Sequence, residues 1–270
     1  MNVVGAGTVA RLAEVVDQLS GDELVQVVVF TSSTPGYFFN HADLAQVGDL
    51  LAMVAAGSTP TWVELVTRLT NAPFIGIASI RGRTRGGGDE LTLAFDLRYA
   101  SLEQAIFSQP EVGTGLVPGG GGSDRLPRLI GRDRALEAIL TSDDYDAARA
   151  EHYGWVTRAV PDAELDDLVH SVATRIASFD KAAVLGAKAQ INRATLPPQA
   201  DLRASWAEFA QSVTRPGFQA RVPQFGTLIN QIGLTKSSST WAGTWAWPVS
   251  SSSHAHNRLP FTTSHDLARP

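Results

Sequence analysis

The 270-residue chain has no cysteine. Disulfides, thiolate metal sites and cysteine nucleophiles are therefore excluded, and a reducing compartment suits the chain. Charge is sparse, at 18% of residues, and the formal balance is −5, so the chain lacks the basic stripe of a phosphate-backbone binder. Long apolar runs are missing too. The longest, such as Leu50 to Gly57, falls far short of the ~20 residues that span a bilayer. The start has no basic region, and Arg11 and Glu14 interrupt its apolar stretch, so it does not read as a signal peptide. A cytoplasmic protein with no nucleic-acid and no membrane partner is the expectation.

Hydrophobic residues make up 44% of the chain, enough for a proper core. Val9, Leu12, Val15, Val16 and Leu19 recur at helical spacing, and Leu24 to Thr31 reads as a buried β-run. Helical stretches follow at Asp43 to Ala55 and Thr61 to Leu69, the second stopped by Pro73. Phe74 to Ile80 is a strand, and a Gly/Arg-rich turn leads from it into a short helix, Asp89 to Phe95. Short strands are expected at Leu97 to Ala100 and Ala105 to Phe107. This β-then-α order implies an α/β fold with largely parallel strands.

Beyond Pro118 the pattern turns helical, at Asp133 to Leu140, Asp146 to His152, Ala163 to Ala177, Ala182 to Ala194, Gln199 to Val213 and Gly217 to about Ile232. One strand, Trp155 to Val160, lies among them. From Lys236 the character changes: half of the chain's Trp and His fall there, beside a serine run and a single acid, Asp266. Apolar periodicity is gone, which predicts a disordered tail. A frameshifted terminus is the sharper alternative, because tryptophan has one codon and the Trp241 to Trp247 stretch, read in another frame, gives a more ordinary protein end.

Three glycine-rich motifs stand out. Gly5-Ala6-Gly7-Thr8-Val9-Ala10 matches a dinucleotide fingerprint. That site needs a full strand before it and a ribose-binding acid after the next strand. Neither is present, and a glycine-rich lead-in to a helix is the expectation. Gly86-Gly87-Gly88-Asp89-Glu90 follows a strand and opens a helix, where backbone N–H groups and the helix terminus suit a phosphate or a developing oxyanion. On its own, Glu90 reads equally as a helix-dipole partner. The third motif, Gln109-Pro110-Glu111, runs on to four glycines at 119–122, which alone read as a flexible connection.

Together these segments resemble the crotonase superfamily, the enoyl-CoA hydratases and isomerases. The matching stretches are VVVFTSSTPGYFFNHADL (27–44), APFIGIASIRGRTRGGGDELTLAFDLRYAS (72–101), FSQPEVGTGLVPGGGGSDRLPRLIGRDRAL (107–136) and DYDAARAEHYGWVTRAVPDAEL (144–165). The resemblance spans residues 2 to 230. It implies a crotonase-like spiral of ββα units over 1–178, with a C-terminal helical trimerisation region over 179–235 and the aberrant or disordered tail over 236–270.

The resemblance also implies an acyl-CoA substrate, no resident cofactor or metal, and a homo-trimer or hexamer. Carried onto this chain, the two N–H donors that hold a thioester enolate fall at Ala42 and Gly87. The glutamate pair falls at Glu90 and Glu111, and Gly119 matches the residue whose N–H helps hold water. His41, Asp43, Leu44, Gly86 and Pro110 complete the expected substrate wall. Possession of both acids favours a hydratase. The alternatives are an isomerase, another thioester-enolate enzyme, an inactive crotonase-like subunit and, from the first motif, a dinucleotide-dependent oxidoreductase. Family chains begin earlier, so a short start is a further expectation. Arg83 and Arg85 stand where the family is usually apolar, either near the ligand or on a charged subunit surface.

Overall fold

The structure, a computed structural model, describes residues 2–54 and 59–223. The tail from Lys236 and the end of the last expected helix lie outside the described residues.

The chain opens with helix α1 (Ala6–Gly21), strand β1 (Val27–Phe30), strand β2 (Tyr37–Phe39), a 3₁₀ turn at Leu44–Gln46, α2 (Val47–Ala52) and α3 (Thr61–Thr70). Two further β–β–helix turns follow: β3 (Ile75–Ile80), β4 (Arg83–Arg85) and α4 (Gly87–Thr92), then β5 (Leu97–Ser101), β6 (Ile106–Ser108) and α5 (Glu111–Thr114). Helices α6 (Gly122–Ile130) and α7 (Arg132–Thr141) lead to β7 (Tyr145–Asp146), α8 (Ala147–Tyr153) and β8 (Arg158–Val160). The described part ends with α9 (Asp162–Ala177), α10 (Lys181–Thr195), α11 (Gln199–Val213) and α12 (Pro216–Gln219).

The strands divide between two four-stranded sheets, ordered β1-β3-β5-β8 and β2-β4-β6-β7. Every pairing is parallel except β6 with β7. Successive strands of each early turn enter alternate sheets, so the backbone advances as a spiral. β3 is buried at all six positions, as a central parallel strand covered on both faces should be. β1 departs from the expected buried run. It sits at a sheet edge, only Val27 to Phe30 pair, and Leu24 stands out in solvent at 93% exposure.

One face of the first sheet packs on α9 through Ile75, Ile77, Tyr99, Val160, Leu165 and Val169. The other face joins the main core, which includes Trp62, Val66, Phe74, Phe107, Leu126, Trp155 and Trp206. α3 buries Trp62, Val63, Leu65, Val66 and Leu69, while Arg68 on its outer side pairs with Asp17 of α1. α10 is tied back by Lys188, whose buried Nζ donates to the carbonyls of Ala72 and Phe74 and to Asp96 at 2.8 Å.

The second sheet is where sequence and structure part. The Gly/Arg-rich turn before the triple glycine is strand β4, and Tyr37–Phe39 is a strand as well. Arg85 is buried and donates through Nε at 2.8 Å and through Nη2 to Asp144, so it does not belong to a charged outer surface. Arg83 lies over the Tyr37 ring. At the first motif, Gly5 caps α1 in an extended conformation, preceded only by a bridge from Val4 to Ala42; it is a glycine-rich lead-in to a helix.

Candidate active site

α4 begins where the chain turns off β4. A Cβ on Gly88 would lie 2.0 Å from the Phe39 carbonyl oxygen, so only glycine lets the helix start seat against the end of β2. Gly86 has φ +51°, and its N–H donates to the Ser108 carbonyl at 2.9 Å. These constraints aim the first turn of α4 inward, and Glu90 there is buried.

Glu90 Oε1 accepts two backbone hydrogen bonds, from Gly120 N at 2.7 Å and Gly122 N at 3.0 Å. The glycine run at 119–122 is thus a buried, fixed wall, which corrects its reading as a flexible connection. Trp62 Nε1 donates to the Gly120 carbonyl at 3.0 Å and anchors that wall to α3. Gly119 meets the other side: a Cβ there would come within 2.2 Å of Phe209 Cβ on α11. The N–H groups that reach Glu90 are those of Gly120 and Gly122.

Glu111 opens α5 directly after Pro110, which caps the helix. Its carboxyl lies against Gly86, where a Cβ would be 2.7 Å from Glu111 Oε1 and 3.4 Å from His41 Cβ. Glu111 Oε2 is buried and meets no hydrogen-bond partner among the described residues. Both carboxyls titrate high. Burial raises Glu90 to about 7 against the pull of its two N–H donors. Burial raises Glu111 well above the usual carboxylate range, and the charge of Glu90 adds to that.

A second feature flanks this pair. Val4 N donates to the His41 carbonyl at 3.1 Å and Asp43 N to the Val4 carbonyl at 2.9 Å, so the parallel bridge engages Ala42's two neighbours. Ala42's own N–H is turned away from the Val4 backbone. Gly87 is the first residue of α4, where a backbone N–H has no acceptor within the helix. A Cβ on Gly87 would lie 3.6 Å from Ala42 N, which makes the two peptide groups neighbours.

His41 sits beside them. Its Nδ1 is 2.8 Å from the Ala42 carbonyl, which can only accept, so Nδ1 carries the proton. Burial lowers its pKa and Arg85 adds to that, so the imidazole is neutral. Asp43 accepts from Gln46 Nε2 at 2.7 Å, and Leu44 begins the 3₁₀ turn, half-buried against the core. The structure therefore gathers Glu90, Glu111, Gly86, Gly87, His41 and Ala42 in one place, with Pro110 supporting Glu111.

The sequence left Asp89, Gln109 and Trp155 unassigned. Asp89 is fully buried and accepts from Gln109 Nε2 at 2.7 Å and Trp155 Nε1 at 3.0 Å. Burial raises it to about 7. An acid placed directly after three glycines was the available signal. Chemically, two buried carboxyls raised toward neutrality and beside an N–H pair are equipped to move protons at a carbon next to a developing oxyanion.

A family model described as enoyl-CoA hydratase/isomerase matches residues 1–206. Among curated relatives, the crotonyl-CoA hydratase of Syntrophomonas wolfei is 35% identical over 194 residues, covering 71% of this chain and 74% of that protein. The short-chain-enoyl-CoA hydratase of Clostridium acetobutylicum is 31% identical over 193 residues, covering 72% and 74%. A crystal structure from Streptomyces avermitilis, provisionally named an enoyl-CoA hydratase, superposes with a TM-score of 0.82 at 41% identity, over 89% of this chain and 86% of that one.

Proposed function

The chain belongs to the enoyl-CoA hydratase/isomerase family, and on that premise we propose that it adds water across the α,β double bond of an acyl-CoA thioester. The observation that carries this is the pair of buried glutamates, Glu90 and Glu111, beside the Ala42 and Gly87 N–H groups. CoA enters as part of the substrate, and the proton transfers rest on this chain's own carboxyls.

Glu90 takes the role of base. Two N–H bonds on Oε1 favour its anion, and Gly120 and Gly122 hold it in place while Oε2 remains for a water. Glu111, held well above the usual carboxylate range by burial and the charge of Glu90 and with an unpartnered Oε2, is the acid. Water loses a proton to Glu90 and its oxygen bonds to Cβ. The π electrons shift toward the thioester oxygen, whose negative charge is met by Ala42 N–H and Gly87 N–H. Each such donor is worth about 3 kcal/mol in the transition state. The enolate then collapses and takes the Glu111 proton at Cα. One water is added, and a proton passed from Glu90 back to Glu111 resets the pair. His41, Asp43, Leu44, Gly86 and Pro110 line the acyl end, with Gly119 behind the water.

Exposed Leu136, Leu140, Phe179 and Ile191 support assembly as a homo-trimer or hexamer. Among the described residues no helix is long and apolar enough to cross a membrane; cytoplasmic placement belongs to the same proposal. The test is loss of the conjugated enoyl-thioester absorbance across a panel of acyl lengths, with the 3-hydroxyacyl product identified by mass. Turnover at one length is the expected result. No hydration at any length overturns the reading, and double-bond migration without a gain of water would make the chain an isomerase.

A further inference from the structure

Both proposed catalytic carboxyls hang on one residue that does not face them. Asp89 Oδ2 receives Gln109 Nε2, and its Oδ1 receives Trp155 Nε1 and, at 3.3 Å, Thr92 Oγ1. Gln109 is fully buried and lies two residues before Glu111. Its other amide atom, Oε1, has no hydrogen-bond partner among the described residues and presses on Gly122, where a Cβ would come within 2.5 Å. Gly122 is one of the two residues whose N–H holds Glu90. One side chain thus joins the helix start that carries Glu90, the segment that carries Glu111 and the wall that fixes Glu90's carboxylate.

We propose that Asp89 is a positioning residue for the glutamate pair, acting through Gln109 to set Glu111 and, through Gly122, the seat of Glu90. The inference rests on the hydratase reading for its kinetic test, though not for its structural one. The two nitrogen groups bonded to the Asp89 carboxyl, Gln109 Nε2 and Trp155 Nε1, are donors, so its anion is the form they fit. The charged groups around it are Glu90 on its own helix, Glu111 on α5 and the buried Arg98 on β5, with Arg125 of α6 beside Arg98. A negative charge at Asp89 raises Glu111.

The orientation of the Gln109 amide makes this testable. Asp89→Asn turns one acceptor oxygen into an NH₂ group that meets Gln109 Nε2, donor against donor. Relief requires the Gln109 amide to turn over, which aims its NH₂ at Gly122. We expect kcat to fall about 10- to 100-fold with KM little changed, the scale of a small misplacement at a reacting centre. The pH limb set by the glutamates moves to lower pH, because a buried negative charge is gone. The exchanged pair, Asp89→Asn with Gln109→Glu, restores one donor facing one acceptor and recovers most of kcat. Hydrogen exchange at Gly120 and Gly122 should quicken in Asp89→Asn and slow again in the exchanged pair.

If Asp89→Asn does not fold, Gln109→Met cuts the same link while leaving Asp89 with Trp155 and Thr92, and the same kcat loss and faster exchange are expected. Wild-type kcat and an unmoved limb in Asp89→Asn overturn the inference, as do unchanged exchange rates at the two glycines. If the wild-type protein hydrates no enoyl thioester, the hydratase reading falls while the exchange measurement still decides whether Asp89 sets the wall.

Discussion

Replacing Glu90 by glutamine should inactivate the protein and stabilise it in the same stroke. Glutamine keeps the acceptor oxygen for Gly120 N and Gly122 N but cannot ionise. In the native protein burial raises the Glu90 carboxyl from 4.5 to about 7. A raised acid binds its proton more tightly folded than unfolded. Its contribution to stability is therefore complete below pH 4.5 and fades as pH rises through 7. A shift of that size corresponds to about 3 kcal/mol of lost stability above pH 7. For a folded region of this length, 1 kcal/mol moves Tm by ~2–4 °C. Glu90→Gln should therefore melt roughly 6–12 °C above wild type at pH 8 and close to it below pH 5. Hydration should fall by about 10² to 10⁴ in kcat. Calorimetric melting curves of both proteins across pH 4.5 to 8.5 measure the difference. Parallel curves, or a variant less stable than wild type at pH 8, would refute the assignment of a burial cost to Glu90.

Glu111→Gln should also lose about 10² to 10⁴ in kcat, and the Glu90→Gln, Glu111→Gln double variant far less than the product of the two, because base and acid act as one unit; steady-state kinetics on an enoyl-CoA substrate reads both. Gly120→Ala places a Cβ 2.4 Å from Glu90 Oε2 and 2.4 Å from Trp62 Nε1. It should cost about 1–3 kcal/mol of stability together with most of kcat, measured by denaturant unfolding beside the rate. Light scattering at micromolar concentration should give the mass of a trimer or hexamer, and Leu140→Glu, on the exposed side of α7, should lower it.

Sequence and structure agree where patterns are long. The periodicity of Gln199 to Val213 coincides with α11, and the apolar Phe74 to Ile80 run with β3 to within one residue. Of the second sheet only β6 was expected, at Ala105 to Phe107; β2, β4 and β7 were hidden because they have two or three residues, too few for an alternation to register, and because Arg83-Thr84-Arg85 between glycines has the composition of a turn. α6 was hidden by Pro127 within it and the glycines before it. Glu90 and Glu111 stood out in their glycine and proline settings, but only the family resemblance paired them. The Asp89 contacts were not legible: Gln109 and Trp155 lie 20 and 66 residues away, and only the folded spiral brings them together.

The covering of the first sheet has a consequence in time. β1 is the first strand made, yet the helix that roofs its sheet, α9, is completed only at Ala177. The fastenings are as distant: Gln26 Nε2 reaches the carbonyls of Ile176 and Phe179, and Lys181 Nζ those of Glu23 and Val25. At ~5–20 residues per second, a ribosome needs about seven to thirty seconds to cover that interval. Until α9 is made, Val27, Ile75, Ile77 and Tyr99, each as it is synthesised, lack the helix that covers them in the folded protein. A translational pause before Asp162 should therefore lengthen the time that this sheet face goes uncovered, and with it the chain's exposure to aggregation.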